Sequence, residues 1–245
     1  MFTRYVARGV KAGLVAGVAF GAFVALVANP LIGYAETFEH NHGGGGPVVS
    51  GTVTTVVSIG GGVLFGILFG AVLFGAVFYF LEPAVPGAAE TKSYVLGTAG
   101  FVTVSGAPWL VFPPQPPGME QALATEVRIG WYLVMMATGA LACGLAAYAY
   151  THLRARHSRT LAVVGACGPL GLIPMVAFVA PANPVSGAVP ARLAFVFRSV
   201  TAAGQVGLWF VLATAHAWFR RRDRAVESDG ERTTVTDAPD SVLSD

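Results

Sequence analysis

Charged side chains are scarce in this chain of 245 residues. Lys, Arg, Asp and Glu together make up 11% of it, whereas hydrophobic residues make up 54%. Soluble domains usually carry roughly 25% charged residues, and several stretches of about 20 residues here contain no charge, which is the length that crosses a bilayer core. The composition excludes an ordinary soluble domain and gives no sign of a nucleic-acid partner. It predicts a multi-pass protein of the cell membrane, with the lipid bilayer as its surroundings.

Cysteines and catalytic motifs are also rare. The two cysteines, Cys143 and Cys167, lie inside apolar runs, where a thiol packs as a small hydrophobic group. The chain contains no G-x-x-x-x-G-K-[ST], G-x-S-x-G or H-E-x-x-H sequence. Its apolar segments also lack the buried Asp or Glu that an intramembrane hydrolase would need. We therefore predict that the protein is not an enzyme, because no nucleophile with a base can be assembled within the membrane.

Apolar segments long enough to cross a membrane recur along the chain, separated by connections that carry Pro, Gly or charge. They predict an all-α helix bundle with about six transmembrane helices. The segments are Val10–Tyr34, Val53–Leu81, Tyr94–Phe112, Ile129–Thr151, Leu161–Ala180 and Leu193–Phe219.

The basic residues predict the orientation of this bundle. When the connections are assigned to alternate sides, all Lys and Arg residues except Arg128, Arg192 and Arg198 fall on the side of the two termini. Because Lys and Arg are retained in the cytoplasm, both termini are predicted to be cytoplasmic. Residues 1–222 would form the bundle, and the acidic segment 223–245 has too few apolar residues to order, so we predict a disordered cytoplasmic tail.

Glycine recurs every four residues in the first two segments. One set is Gly9, Gly13, Gly17 and Gly21, and the other is Gly62, Gly66 and Gly70. Four-residue spacing places each set on one helix face, where the absence of side chains lets two backbones approach closely. We predict helix packing at these faces, with a pore lining as the alternative.

Residues 35–46 read AETFEHNHGGGG, an unusual concentration of acidic and histidine residues. If the first helix continues past the membrane, Glu36, Glu39 and His40 share one face at i, i+3 and i+4. His42 could join them only if the helix ends nearby, as the following glycines would allow. Carboxylate and imidazole groups suit divalent transition metals, although the ligands alone do not identify the metal. The alternative is an exposed polar loop.

Other polar residues are candidates for a pathway or for structural pairing. Glu120 and Glu126 follow the proline-rich loop FPPQPPGME, and we predict that they pair with Arg128 or Arg192 rather than bind metal. Arg198, Thr201 and Gln205 form a polar stripe at the outer end of the last segment. The position of Arg198 favours snorkelling to the outer headgroups, while a pathway role is the alternative.

Four features resemble one family. They are a basic amino terminus leading into a Gly-rich helix, AETFEH at its outer end, PPQPPGME followed by an Arg and Trp131, and VPARLAFVFRS opening the last helix. Over residues 1–222 the chain resembles the CbtA proteins, described as probable cobalt-transporter subunits. The resemblance implies cobalt uptake for corrinoid synthesis, with a small single-span CbtB partner that bears histidines. Cobalt would be the transported ion, and no permanently bound cofactor is implied.

One position departs from the family pattern. The fifth span tends to carry a histidine after a proline, whereas here Pro174 precedes Met175, whose thioether is a softer ligand.

Two functions stay open on the sequence. In the first, the chain is the membrane subunit of a divalent metal transporter whose outer Glu/His cluster captures the ion. In the second, it is a non-transporting scaffold or assembly subunit that presents metal to a partner. A homo-oligomer is compatible with either function.

Overall fold

The computed structural model describes residues 1–40 and 51–236, without the side chains of residues 39, 40, 51 and 227–236. The described chain is almost entirely helical. The helices are α1 (Phe2–Phe23), α2 (Asn29–His40), α3 (Gly51–Phe69), α4 (Phe78–Leu81), α5 (Ala89–Phe101), α6 (Ala107–Trp109), α7 (Thr125–Arg154), α8 (Arg159–Cys167), α9 (Leu172–Val179) and α10 (Ala191–Thr236). Wider π-helical segments, Val24–Ala28, Gly70–Val77 and Val102–Gly106, join α1 to α2, α3 to α4 and α5 to α6, and the 3-10 turn Gly168–Gly171 joins α8 to α9.

The all-α membrane class predicted from the sequence is confirmed. Within the described residues, five helices are long and apolar enough to cross a membrane: Phe2–Phe38, Thr52–Leu81, Thr125–Arg154, Arg159–Val179 and Ala191–Val226. They cover five of the six predicted segments, apart from Ala180 at the end of the fifth. The third predicted segment, Tyr94–Phe112, is not among them. It corresponds to residues 89–109, in which Ser, Thr and Gly interrupt the apolar residues.

This less apolar stretch nevertheless runs antiparallel along α10. Ser93 Oγ lies 2.9 Å from His216 Nδ1 near one end, and Gln115, just beyond α6, accepts a hydrogen bond from Arg198 at the other. The packing of this stretch therefore supports a sixth membrane crossing, although its hydropathy alone does not. The count of six and the cytoplasmic termini stay predictions.

The bundle has two distinct ends. The basic end contains the side chains of Arg8, Arg154 and Arg220. The hairpin end contains the antiparallel pair of β1 (Met119–Gln121) and β2 (Val185–Gly187). Asn183 ties this pair together, since its Nδ2 donates to Gln121 Oε1 at 2.9 Å and its Oδ1 accepts from Leu123 N at 3.1 Å.

The glycine faces of α1 and α3 pack directly against each other, as predicted. A Cβ added at Gly17 would lie 2.5 Å from the carbonyl oxygen of Gly62, and one added at Gly66 would lie 2.5 Å from the Cα of Gly17. Contacts this close leave no room for a channel between the two faces. The prediction of helix packing is therefore confirmed over the alternative of a pore lining.

The acidic tail stays a prediction. α10 continues to Thr236, and its side chains are described as far as residue 226. Asp223 accepts hydrogen bonds from Arg8 Nε and Nη2, at 2.9 and 2.7 Å. This ion pair fastens residue 223, where the predicted tail begins, to α1. Residues 237–245 lie outside the described residues.

The glycine contact predicts the effect of one added methyl group. Gly66→Ala should lower the free energy of unfolding by about 1–3 kcal/mol, because overpacking forces the two backbones apart. Gly60→Ala in the same helix is the matched control, since nothing lies within 4 Å of a Cβ there. Thermal unfolding in detergent measures both variants. Equal unfolding temperatures for Gly66→Ala and Gly60→Ala would contradict the contact.

Candidate metal site and transport path

The predicted metal cluster lies where the first helix ends. The helix continues to His40, so Glu36, Glu39 and His40 occupy positions i, i+3 and i+4 of one helical segment. Glu36 is half-buried, the side chains of Glu39 and His40 are not described, and His42 falls outside the described residues. Among the side chains that the structure describes, which exclude those of Glu39 and His40, no three His, Cys, Asp or Glu are close enough to hold a metal. The metal cluster therefore stays a prediction.

The outer glutamates do not form the ion pairs that we predicted. Glu120 lies in β1 opposite Ser186, while Arg128 Nη2 donates to Thr125 Oγ1 at 3.0 Å. Among the described residues, no ion pair joins Glu120 or Glu126 to Arg128 or Arg192. Both glutamates are exposed. The strand pairing fixes the backbone of Glu120 opposite Ser186 and leaves its carboxylate exposed rather than paired with an arginine.

Arg198 fixes the proline-rich loop to α10. Its Nη2 donates to Gln115 Oε1 at 2.7 Å, and the stiff prolines on either side of Gln115 hold that acceptor in place. In the described part of the chain its buried Nε has no hydrogen-bond partner. This position at the hairpin end agrees with the predicted location near the outer headgroups and indicates a structural role.

A cavity of about 420 Å³ lies between α1, α3, the 102–109 stretch, α7 and α10. Its lining is largely apolar, with a few polar side chains. Ser58 is hydrogen-bonded to Asn29 at 2.9 Å, and Tyr132 donates to the carbonyl oxygen of Val104 at 2.7 Å. Gln205, which also lines the cavity, forms no hydrogen bond with any described residue. Its amide is therefore available to a guest in the cavity.

Met175 is not part of this cavity. It lies on α9 with 67% of its surface exposed, on the outside of the bundle. The sequence suggested that its thioether could replace a histidine along a transport path. The structure corrects that suggestion for the chain alone, because Met175 faces the lipid, or a partner chain, rather than the interior.

The basic end contains a polar cluster that the sequence analysis missed, which we call the Glu82 cluster: Tyr5, Glu82 and Arg220. The Tyr5 hydroxyl donates a hydrogen bond to Glu82, and Arg220 forms an ion pair with the same carboxylate. Arg220 also donates to the carbonyl oxygen of Ala89 at 2.9 Å. One carboxylate thereby connects α1, the end of α4 and α10, and its arginine partner reaches α5.

One turn deeper, His216 is completely buried. Its Nδ1 contacts Ser93 Oγ, and its ring lies 5.2 and 4.8 Å from the rings of Phe74 and Phe78. In the part of the chain that the structure describes, its Nε2 has no hydrogen-bond partner. Together with Leu212, these residues form a packed layer between the cavity and the Glu82 cluster. The cavity beside Gln205 is therefore closed toward the basic end.

A sequence signal for the Glu82 cluster does exist. Glu82 directly follows the second apolar segment, on the side of the bundle to which most Lys and Arg residues were assigned. An acidic residue at such a boundary requires a cationic partner, and the arginines after the last segment are the available ones. We used those arginines only as topology markers, which is why the pairing was missed.

The Glu82 cluster predicts a large loss of stability when its carboxylate is removed. Glu82→Gln should cost about 3–5 kcal/mol, because it leaves the Arg220 guanidinium buried without its counter-charge. Glu90→Gln is the matched control: Glu90 faces Arg221 at 3.8 Å with both side chains more than half exposed, so its loss should cost at most about 1 kcal/mol. Thermal unfolding in detergent compares them. A Glu82→Gln variant as stable as Glu90→Gln would show that the cluster does not hold the bundle.

Comparison with known proteins gives a single clear result. A family model described as "Probable cobalt transporter subunit (CbtA)" matches residues 2–221. No curated protein and no solved structure matches the chain. The matched region begins with α1, includes every helix that packs around the cavity, and ends beside the Glu82 cluster. With nearly the whole helical bundle inside the match, the chain belongs to the CbtA family of probable cobalt transporter subunits.

Proposed function

We propose that the chain is the membrane subunit of a cobalt uptake transporter in the cell membrane, and that Glu36, Glu39, His40 and His42 capture the ion at the hairpin end. The observation that carries this proposal is the family match over residues 2–221, on a chain with five helices apolar enough to cross a membrane. Cobalt is the cargo rather than a resident cofactor. A small single-span, histidine-bearing CbtB-like subunit is the proposed partner.

The position of the capture cluster supports this role. α2 extends to His40 and is continuous with the first apolar helix, so the helix positions of Glu36, Glu39 and His40 follow directly on a membrane-embedded segment. Two carboxylates raise the local concentration of a divalent cation. The imidazole nitrogen adds a ligand that binds transition metals better than it binds alkaline earth ions. Ligand type does not separate cobalt from nickel or zinc, so the choice of cobalt rests on the family.

The cavity beside Gln205 is the proposed next binding site for the ion on the transport path. It lies among α1, α3 and α10 and offers an amide oxygen without a protein partner, together with hydroxyl groups. Such neutral oxygens bind a divalent ion weakly, which permits the ion to leave again. The packed layer of Phe74, Leu212 and His216 would have to open before the ion reaches the basic end. The structure therefore corresponds to a state closed on that side.

The alternative function is a non-transporting scaffold that presents metal to a partner. The observation in its favour is the composition of the interior: the cavity is lined mainly by apolar side chains. A scaffold would need the outer cluster but not the cavity. The two functions therefore differ in what happens when the cavity is filled.

The capture proposal predicts the effect of removing two ligands. Glu36→Gln combined with His40→Ala should lower accumulation of radioactive cobalt at limiting external cobalt by about tenfold or more, because each lost charged or donor ligand weakens binding by at least about 1 kcal/mol. Cells that also express the partner subunit are assayed, and the protein level is measured in the same membranes.

Glu120→Gln with Glu126→Gln is the matched control. It removes two exposed carboxylates from the same predicted side of the membrane without touching the cluster, so general surface electrostatics change in both variants. Normal accumulation by the Glu36→Gln/His40→Ala protein at wild-type abundance would contradict capture by this cluster. Equal losses of cobalt accumulation in both double variants would show that surface charge, rather than ion capture by the cluster, causes the loss.

A variant that fills the cavity distinguishes the transport function from the scaffold function. Gly61 lines the cavity, and nothing lies within 4 Å of a Cβ added there, so Gly61→Leu should fill the space without displacing a neighbour. A transport subunit should lose most cobalt uptake, because the ion path is occupied. The measurement is cobalt uptake into cells at equal membrane abundance of each variant.

Gly60→Leu is the control for this substitution. Gly60 is the preceding residue, is equally free of neighbours and does not line the cavity. We expect wild-type uptake from Gly60→Leu and loss from Gly61→Leu. Wild-type uptake from both variants would favour the scaffold, whose metal presentation does not pass through the cavity.

A further inference from the structure

A second, larger opening lies between α5, α7 and α8, at the basic end of the bundle. Its volume is about 860 Å³, and it is open to the surroundings. Small side chains such as Thr98, Ala99, Ala146 and Ala166 line its length, while Arg154 and Arg159 stand at its rim. We call this opening the inner groove. It shares no lining residue with the cavity beside Gln205.

The inner groove exists because α7 diverges from α5 toward the basic end of the bundle. At the hairpin end the two stretches are in close contact: a Cβ at Gly139 would lie 3.0 Å from the Cα of Thr103 and 3.2 Å from the Cβ of Ala107, and Tyr132 is bonded to Val104. Toward the basic end α7 instead packs on α8, where Leu153 covers Gly165. The result is a slot that is closed near mid-membrane and open at the basic end.

The depth of the inner groove matches half a membrane. On α7 its lining extends from Cys143 to Arg154, and the eleven steps between these residues span roughly 16 Å at about 1.5 Å per residue. On α8 and the following turn it extends from Arg159 to Leu170, again eleven steps. One leaflet of hydrocarbon is about 15 Å thick, half of the bilayer core. A membrane-spanning partner helix needs twice this length, whereas an acyl chain of one leaflet fits it.

The two arginines at the rim of the inner groove indicate which chemical group the bound molecule presents there. Arg154 and Arg159 are both exposed, and within the described ranges neither guanidinium group forms an ion pair or a hydrogen bond with another residue. Two guanidinium groups with unused donors bind a phosphate well, because their fork geometry matches its oxygens. Basic pockets between helices at the cytoplasmic surface are typical sites for anionic lipid headgroups.

We propose that the inner groove binds an anionic phospholipid, with the headgroup phosphate on Arg154 and Arg159 and an acyl chain along Thr98, Ala146 and Ala166. Charge at the mouth, an apolar interior and a depth of one leaflet all agree with this occupant. Bound lipid also fills the gap between α5 and α7, which this chain does not fill with its own side chains. The site is independent of the proposed metal path.

The test uses the full-length protein purified in detergent and stripped of endogenous lipid. Phosphatidylglycerol or phosphatidylcholine is added back, and bound lipid is counted by native mass spectrometry. We expect phosphatidylglycerol to bind preferentially. Arg154→Gln with Arg159→Gln should weaken its binding by roughly 30-fold, from about 1 kcal/mol per basic residue.

Arg156→Gln with Arg224→Gln is the matched control, because it removes the same charge from two exposed arginines at the basic end that do not line the inner groove. Wild-type binding by this control, and no displacement of lipid by excess inorganic phosphate, would support the lipid site. Equal retention of both lipids, equal weakening in both double variants, or displacement by phosphate would each overturn it. So would a photoreactive residue at Ala147 that captures a protein chain in native membranes rather than lipid.

Discussion

The contact between the backbones of α1 and α3 determines the arrangement of the remaining helices. Lipid is as apolar as leucine, so helices in a membrane gain little by burying large side chains against each other, and close packing must hold them together instead. Gly9, Gly13 and Gly17 meet the carbonyl groups of Gly70, Gly66 and Gly62 in antiparallel register. This register fixes the height of α1 in the bundle, and therefore the residues that Tyr5 and Arg8 can reach.

That height brings charged groups together at one end. Tyr5 meets Glu82, and Arg8 meets Asp223. Arg220 completes the arrangement by reaching both Glu82 and the first turn of α5. The basic residues that indicate orientation in the sequence thus have a second role, since some of them hold four segments of the chain together at the membrane surface. The hairpin end is held differently, by a short strand pair and the amides of Gln115 and Asn183.

The sequence predicted the class of fold well because membrane insertion depends on simple properties. Length and hydropathy located five of the six segments, and the glycine spacing identified the packing faces of α1 and α3, although not that each face is the partner of the other. The stretch 89–109 was located as a helix, although its Ser and Thr residues keep it from the hydropathy of a typical span. Pairings between distant residues were harder to predict: nothing in sequence spacing relates Ser93 to His216, and the boundary position of Glu82 indicates a cationic partner without identifying Arg220 among the arginines. The ion pairs predicted for Glu120 and Glu126 did not form, because charged residues in connections on the same side of the membrane need not be in contact.

The ion pair between Arg8 and Asp223 joins residues that are 215 positions apart. Insertion into a membrane proceeds from the amino terminus, so α1 must remain without this partner until α10 has been made. Glu82 likewise waits for Arg220. The last helix therefore acts as the closing element of assembly: a chain that stops before residue 220 exposes an unmatched carboxylate and an unmatched guanidinium at the membrane surface.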